Sequence, residues 1–319
     1  MDRNKDIDNL RGLAMLAMIV IHACSYFLKT TTTYIVWNYL QWAVPVFLFC
    51  SFYITFANDK KIDVMKRLKR LYLPYSIFLA VYFILVFFFE KSKFNLPNFF
   101  ANVFLYGGLD FNWLVLLFFY FTILIPIIRK LEKNKVLFYG FFGLSFLSSI
   151  IFIFFSPFNY RFDMWLPWST YIYFTYFFVK NEKNKKLINA TAVVSFAVFL
   201  FLYWLETKIN HNLSQYGNKY PPTLFHISFG IFSTVALYQM AKIKVFNFLR
   251  FDKILDFLSL NSYPLFFIHL LVIFVLTWTK IVQKMNVFTF FLAIFGISCA
   301  VVLLMNASRT VFARLKSQI

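Results

Sequence analysis

The chain has 319 residues, 61% hydrophobic and 23% aromatic, with a mean hydropathy of +0.68 and only 14% charged. That composition excludes a water-soluble globular domain and points to a polytopic membrane protein, with the lipid bilayer as its first partner. The formal net charge of +19 would suit a nucleic-acid binder, yet the basic residues are scattered through short loops between apolar runs and form no single patch, which argues against nucleic acid as a partner.

Charged residues run up to Arg11, an apolar stretch follows, and no small-residue cleavage motif comes after it, so the first segment reads as a retained span. Segments long enough to cross, at about 20 residues each with slack for tilt, fall near 10–28, 35–57, 72–89, 113–128, 136–156, 165–179, 187–205, 223–241, 260–279 and 287–306. The expected fold class is all-α, with about ten membrane-spanning helices in one embedded domain over residues 1–319. The sixth segment is the shortest, and Pro167 predicts a kinked or re-entrant start there. The longest connection, 90–112, carries an apolar part at 99–109 that is expected to lie along the membrane surface or dip into it. A second connection, 206–222, is polar and ends in Pro221-Pro222. No internal repeat of the inverted-topology kind is present.

Orientation follows from the basic residues. With the N-terminus inside, 24 Lys and Arg fall on the cytoplasmic side and eight on the other, predicting that both termini are cytoplasmic in a multi-pass protein of the cell membrane. The tryptophans Trp37, Trp42, Trp113, Trp165, Trp168, Trp204 and Trp278 all fall toward the outer ends of their segments, as an interfacial belt would.

The 13 acids sit in loops or at span edges, so no buried carboxylate is expected, which weakens both a proton-coupled transporter and a two-carboxylate glycosidase. Cys24, Cys50 and Cys299 form no metal-type spacing, and no metal is expected. Inside the apolar segments stand Arg11, His22, His269 and, nearer an outer end, His226. Arg11 and His22 are eleven residues apart and share a helix face, about 16 Å apart along the axis. His22 and His269 are expected at similar depth, near the middle of the membrane. A histidine there serves as a general base or as a hydrogen-bonding link between helices. Arg11 reads either as a positive-inside anchor or as a holder of a substrate phosphate or carbonyl, and Asp8, one turn earlier, either pairs with it or complements the helix N-terminus. The densest charge runs over 60–70, through Lys66, Arg67, Lys69 and Arg70. Arg67 and Arg70, one turn apart, can clamp a phosphate-rich ligand such as coenzyme A, and the same loop would equally fix topology on anionic lipid.

Several motifs stand in a familiar order. Arg11 falls in Ile-Asp-Asn-Leu-Arg-Gly-Leu-Ala, with His22 later in the same segment; Val44-Pro45-Val46-Phe47-Leu48-Phe49-Cys50-Ser51-Phe52 comes next; then Arg67 and Arg70 before Pro74, Asn112-Trp113-Leu114 before Tyr120 and Pro126, and Ser262-Tyr263 before His269. Together these resemble the membrane-bound acyltransferase 3 family. The resemblance implies transfer of an acyl group, commonly acetyl, from cytoplasmic acyl-coenzyme A to an extracytoplasmic acceptor, commonly a hydroxyl of a cell-surface glycan or lipid-linked sugar. It implies His22 as catalytic base. Arg11 would position the donor or its developing oxyanion, and Arg67, Arg70 and Lys66 would contact the nucleotide. His269 would orient His22 or touch the acceptor, with Asp8, Trp113, Ser262 and Tyr263 in support. Phe52 departs from the family's glycine, which predicts a looser approach of the second span to its neighbour. Leu116 and Leu117 stand where one subgroup carries an acid, so the chain resembles the short polysaccharide-modifying subgroup without a fused extracytoplasmic domain. Transfer would then finish within the membrane unit or pass to a separate envelope-biosynthesis protein. The competing class is a transporter or flippase that moves a glycan or amphiphile without covalent chemistry.

Overall fold

The computed structural model describes residues 3–58 and 62–316, without the side chains of Leu249 and of 311–316. Lys60 and Lys61 of the basic loop lie outside the described residues. The described chain is helical, without a strand: α1 (Lys5–Cys24), α2 (Thr31–Tyr39), α3 (Ala43–Ala57), α4 (Val64–Phe89), α5 (Leu96–Val103), α6 (Asn112–Leu131), α7 (Lys135–Phe154), α8 (Tyr160–Asp163), α9 (Trp165–Asn181), α10 (Lys185–Lys208), α11 (Leu224–Lys242), α12 (Phe251–Leu260), α13 (Ser262–Trp278) and α14 (Val287–Lys316). Among the described residues, eight helices are long and apolar enough to cross a membrane, and the bent pair α12 and α13 makes a ninth. The sixth expected span, α9, is helical but has only 17 residues. The long helices alternate in direction. Their connections therefore fall at two ends of the bundle, a near end holding residue 5 and a far end opposite.

Near-end starts are set by capping side chains. Asn4, Asp63, Asn134 and Asn184 each accept a hydrogen bond from a backbone N–H of the turn they precede, and each such cap stabilises its helix by about 1 kcal/mol. The helix between them that matters most is α1, which packs against α3, α11, α12, α13 and α14. Its apolar window is 72% buried, against 22% for α10 and α14, so α1 is the central post and the other two face outward. Small residues make this possible: Ala14 and Ala23 are fully buried, and a side chain at Gly12 would collide with the Leu255 backbone carbonyl. Gly12 thus lets α12 cross α1 at backbone contact.

The sharp break in the chain is not at Pro167. That proline lies in the first turn of α9, where its missing N–H costs nothing. The bend comes at Asn261, where α12 and α13 meet at 87°. Because α12 lies beside the near half of α1, α13 begins part-way along the bundle. The second span is also interrupted. Between α2 and α3 a 3-10 turn, Leu40–Trp42, sets Gln41 in the interior, where its Nε2 donates to Trp37 O at 3.0 Å. The apolar stretch at 99–109 contains most of the short helix α5, with Phe99, Phe100 and Phe104 exposed and Asn102 buried under the Tyr75 hydroxyl.

Candidate active site

Two histidines meet where α1 and α13 cross. His22 Nδ1 lies 2.8 Å from His269 Nε2, the rings nearly parallel at an interplanar angle of 11°. On its other side His269 Nδ1 lies 2.8 Å from Leu265 O. A carbonyl can only accept, so Nδ1 of His269 carries its proton, and in the neutral ring Nε2 is left with a lone pair. His22 must then donate from Nδ1, which leaves its own Nε2 as a free base. The order Leu265 O, His269, His22 is therefore fixed for two neutral rings. His269 is fully buried, whereas His22 keeps partial access, so His22 is the member a substrate can reach. The two histidines share a level in the bundle. Helix α1 stops at Cys24, placing His22 in its last turn, and His269 sits mid-way along the late-starting α13.

Arg11 and Arg67 lie at the near end. Helix α1 is continuous from Arg11 to His22, so Arg11 lies about 16 Å from the base along the axis. That is too far to touch a carbonyl reacting at His22, and of its two expected roles toward the donor only positioning survives. Asp8 is buried. It accepts from Ser259 Oγ at 3.0 Å and pairs with Arg3 at 2.9 Å, while Arg11 Nη1 stands off at 3.9 Å. Arg67 turns inward onto α3, its Nη1 donating to Thr55 Oγ1 and its Nη2 to Ser51 Oγ, each at 3.3 Å, and it makes no ion pair among the described residues. Arg70 and Lys66 are exposed. The two arginines thus diverge: Arg67 lines the protein interior and Arg70 faces outward.

At the far end the polar connection after α10 folds back over the helices. Gln215 N and Ser214 Oγ both donate to Asn38 Oδ1, at 2.7 and 3.3 Å, and Asn218 Nδ2 donates to Asn212 O and Ser214 O. This brings Lys219 inside, where its Nζ donates to Gln41 Oε1 at 2.6 Å and lies 4.8 Å from the Tyr220 ring centroid, 5.0 Å from Tyr216 and 5.6 Å from Trp113. Burial pushes the Lys219 ammonium down to about 7. The expectation that no carboxylate is buried fails at two edges of the bundle. Glu206, in the last turn of α10, is fully buried beside His211 Nδ1 at 3.4 Å, and Asp8 is buried as described. Both stand at helix ends, as their positions in the sequence imply, and the loop folding over Glu206 and α12 packing on Asp8 enclose them.

The other expected residues are held by packing and hydrogen bonds. Trp113 is buried and stacks on Trp168 at 6.4 Å, Ser262 is buried at the start of α13, and the Tyr263 hydroxyl donates to Leu71 O, tying α13 to α4. Phe52 is fully buried, with its ring edge-on to Phe121 of α6 at 4.9 Å, so the two rings fill the space between α3 and α6. Lys219, Gln41 and Gln215 do not stand out in the sequence. The one signal for them is the interleaving of Tyr216 and Tyr220 with polar residues in a connection that looks solvent-exposed.

A family model described as an acyltransferase domain, that of the acyltransferase 3 family, matches residues 4–307. No curated protein and no solved structure matches the chain significantly.

Proposed function

The chain belongs to the acyltransferase 3 family, and on that premise we propose that it moves an acyl group, acetyl being the expected one, from acyl-coenzyme A to a hydroxyl of an extracytoplasmic glycan or lipid-linked sugar. The observation that carries this reading is the ordered pair His22 and His269, which leaves one accessible imidazole nitrogen free to take a proton. The acceptor hydroxyl oxygen attacks the thioester carbonyl as His22 Nε2 removes its proton. The carbon–sulfur bond then breaks, and the same proton passes from His22 to the departing thiolate, giving the ester and free coenzyme A. His269 is a positioning residue: held by Leu265 O, it fixes the His22 tautomer and steadies the imidazolium that forms.

The near end serves the donor. Its surplus of basic residues supports a cytoplasmic assignment and cytoplasmic termini. Arg67, whose guanidinium is bound among the described residues to two hydroxyls, and Arg11, loosely held at 3.9 Å from Asp8, are placed to take phosphates of the nucleotide, with Arg70 and Lys66 at the rim. The pantetheine arm then runs the three turns of α1 from Arg11 to His22. Transfer finishes in this unit, or the product passes to another envelope protein.

The test uses purified protein, acetyl-coenzyme A and a panel of sugars, with thiol release as the readout. Acceptor-dependent release supports acyl transfer. Movement of a glycan across vesicles without thiol release would instead identify a flippase. Mass spectrometry of surface glycans from cells with and without the protein would then identify the acyl group and the acceptor.

A further inference from the structure

We propose that Lys219, Gln215, Trp168 and His226, walled by Trp113 and Tyr220, form an acceptor subsite that selects a hydroxylated molecule carrying an anionic group. The proposal rests on the acyl-transfer reading of the neighbouring histidine pair.

The first observation is a buried cation without a counter-charge. Lys219 is 5% exposed, and among the described residues its ammonium makes one hydrogen bond, to the neutral Gln41, and no ion pair. An ammonium has three N–H groups, and beyond Gln41 its neighbours here are aromatic rings. Burying a charge without an opposite charge is costly, and an anionic ligand removes that cost. Arg161, another buried cation of this end, makes the contrast. Three of its five N–H groups go to the carbonyl oxygens of Leu105 and Leu109, both at 3.2 Å, and to Asn112 Oδ1, so it holds a loop.

The second observation is independent. Trp168 Nε1, Gln215 Nε2 and His226 Nε2 are each without a hydrogen-bond partner, on residues 0%, 1% and 0% exposed. They are contiguous with the cation: His226 stands edge-on to Trp168 at 5.7 Å, Trp168 stacks on Trp113, and Lys219 lies over Trp113. The chemistry of each atom follows from its neighbours. Gln215 Oε1 accepts from His226 Nδ1 at 3.1 Å, so His226 Nε2 is a bare acceptor, while Trp168 and Gln215 offer donors. Buried polar groups are normally satisfied, and a cluster that is not calls for a ligand or water. Two donors, one acceptor, a cation and flat aromatic walls match an acidic sugar: a hydroxyl both donates and accepts, a carboxylate or phosphate takes the ammonium, and the C–H face packs on the rings. Helix α1 packs against the 3-10 turn that carries Gln41, so the Lys219 ammonium is anchored on an element in contact with the helix whose last turn holds His22.

Methyl glucuronide against methyl glucoside, and glycerol phosphate against glycerol, separate charge from shape and carboxylate from phosphate. Two readouts are taken on detergent-purified full-length protein: quenching of tryptophan fluorescence without acetyl-coenzyme A, and thiol release with it. The parent is expected to favour at least one charged member of these pairs by about tenfold in both readouts. In Lys219→Met the ratio falls to near one, and Lys219→Arg restores part of it. Trp168→Phe, which keeps the ring and loses the donor, weakens quenching by the charged ligand severalfold. Equal response of the parent to charged and neutral partners in both pairs overturns the proposal, whether or not Lys219→Met folds. So does a preference that survives in a folded Lys219→Met. Charge-selective quenching without thiol release from any acceptor keeps the subsite and sinks the acyl-transfer reading; thiol release without charge preference does the reverse.

Discussion

The two ends of the bundle solve the same problem differently. Each holds a cation turned inward with no carboxylate against it among the described residues. Arg67 at the near end rests on the hydroxyls of Ser51 and Thr55, and Lys219 at the far end on Gln41 and three rings. The difference lies in what surrounds them. Arg67 sits on a basic edge that continues outward through Arg70 and Lys66, suited to a large polyanion docking from water. Lys219 is sealed under a folded connection and suits one small charged group. Between them stand His22 and His269, so donor and acceptor anchors lie at opposite ends of one central helix and meet only at the base.

If this division holds, variants at the three places fail in different parameters. The largest effect belongs to the base. His22→Ala should lower the turnover rate by about 10²- to 10⁴-fold, whichever acceptor is used, as read by thiol release at saturating substrates. Arg67→Ala should raise the KM for acetyl-coenzyme A about 10- to 100-fold and leave preference among acceptors intact; a changed acceptor preference with an unchanged donor KM would reverse the assignment of the ends. Gly12→Ala forces a methyl into the Leu255 carbonyl. It should cost about 1–3 kcal/mol, read as a lowered melting temperature, and reduce activity by shifting α13 and His269. An unchanged melting temperature would show that α12 does not need its close approach. The smallest effect is on stability against pH. Lys219 is pushed from 10.5 down to about 7 in the folded protein, so between those values the unfolded chain binds more protons and stability rises with pH. Melting temperatures taken at pH 7 and pH 9 should rise in the parent by more than in Lys219→Met; an equal rise would remove Lys219 as the source.

The parts legible in the sequence are those governed by local spacing. Apolar runs mark each long helix, and the eleven-residue interval puts Arg11 and His22 on one face of α1. The end of α1 is not legible, because Ser25 to Leu28 continue the apolar run after the helix has ended. No hydropathy count registers that stop, which depends on the backbone turning after Cys24. The half-helix α12 carries a signal in Leu255 and Leu258, three residues apart and both buried, within a stretch that otherwise reads as a basic loop. What stays hidden is long-range. Lys219 finds Gln41 across 178 residues of chain, and His22 finds His269 across 247. A single sequence shows both pairs' residue types without joining them.

The coupling of His22 to His269 is the centre of the account, and a double-mutant cycle on thiol release tests it most directly. In the parent background His269→Ala should cost on the order of 10²-fold, as misplacement of a catalytic group does. In the His22→Ala background the same change should cost almost nothing, because the group it positions is already gone. Equal losses in both backgrounds, or a His22→Ala protein that releases coenzyme A as fast as the parent, would contradict the assignment of His22 as base and His269 as its support.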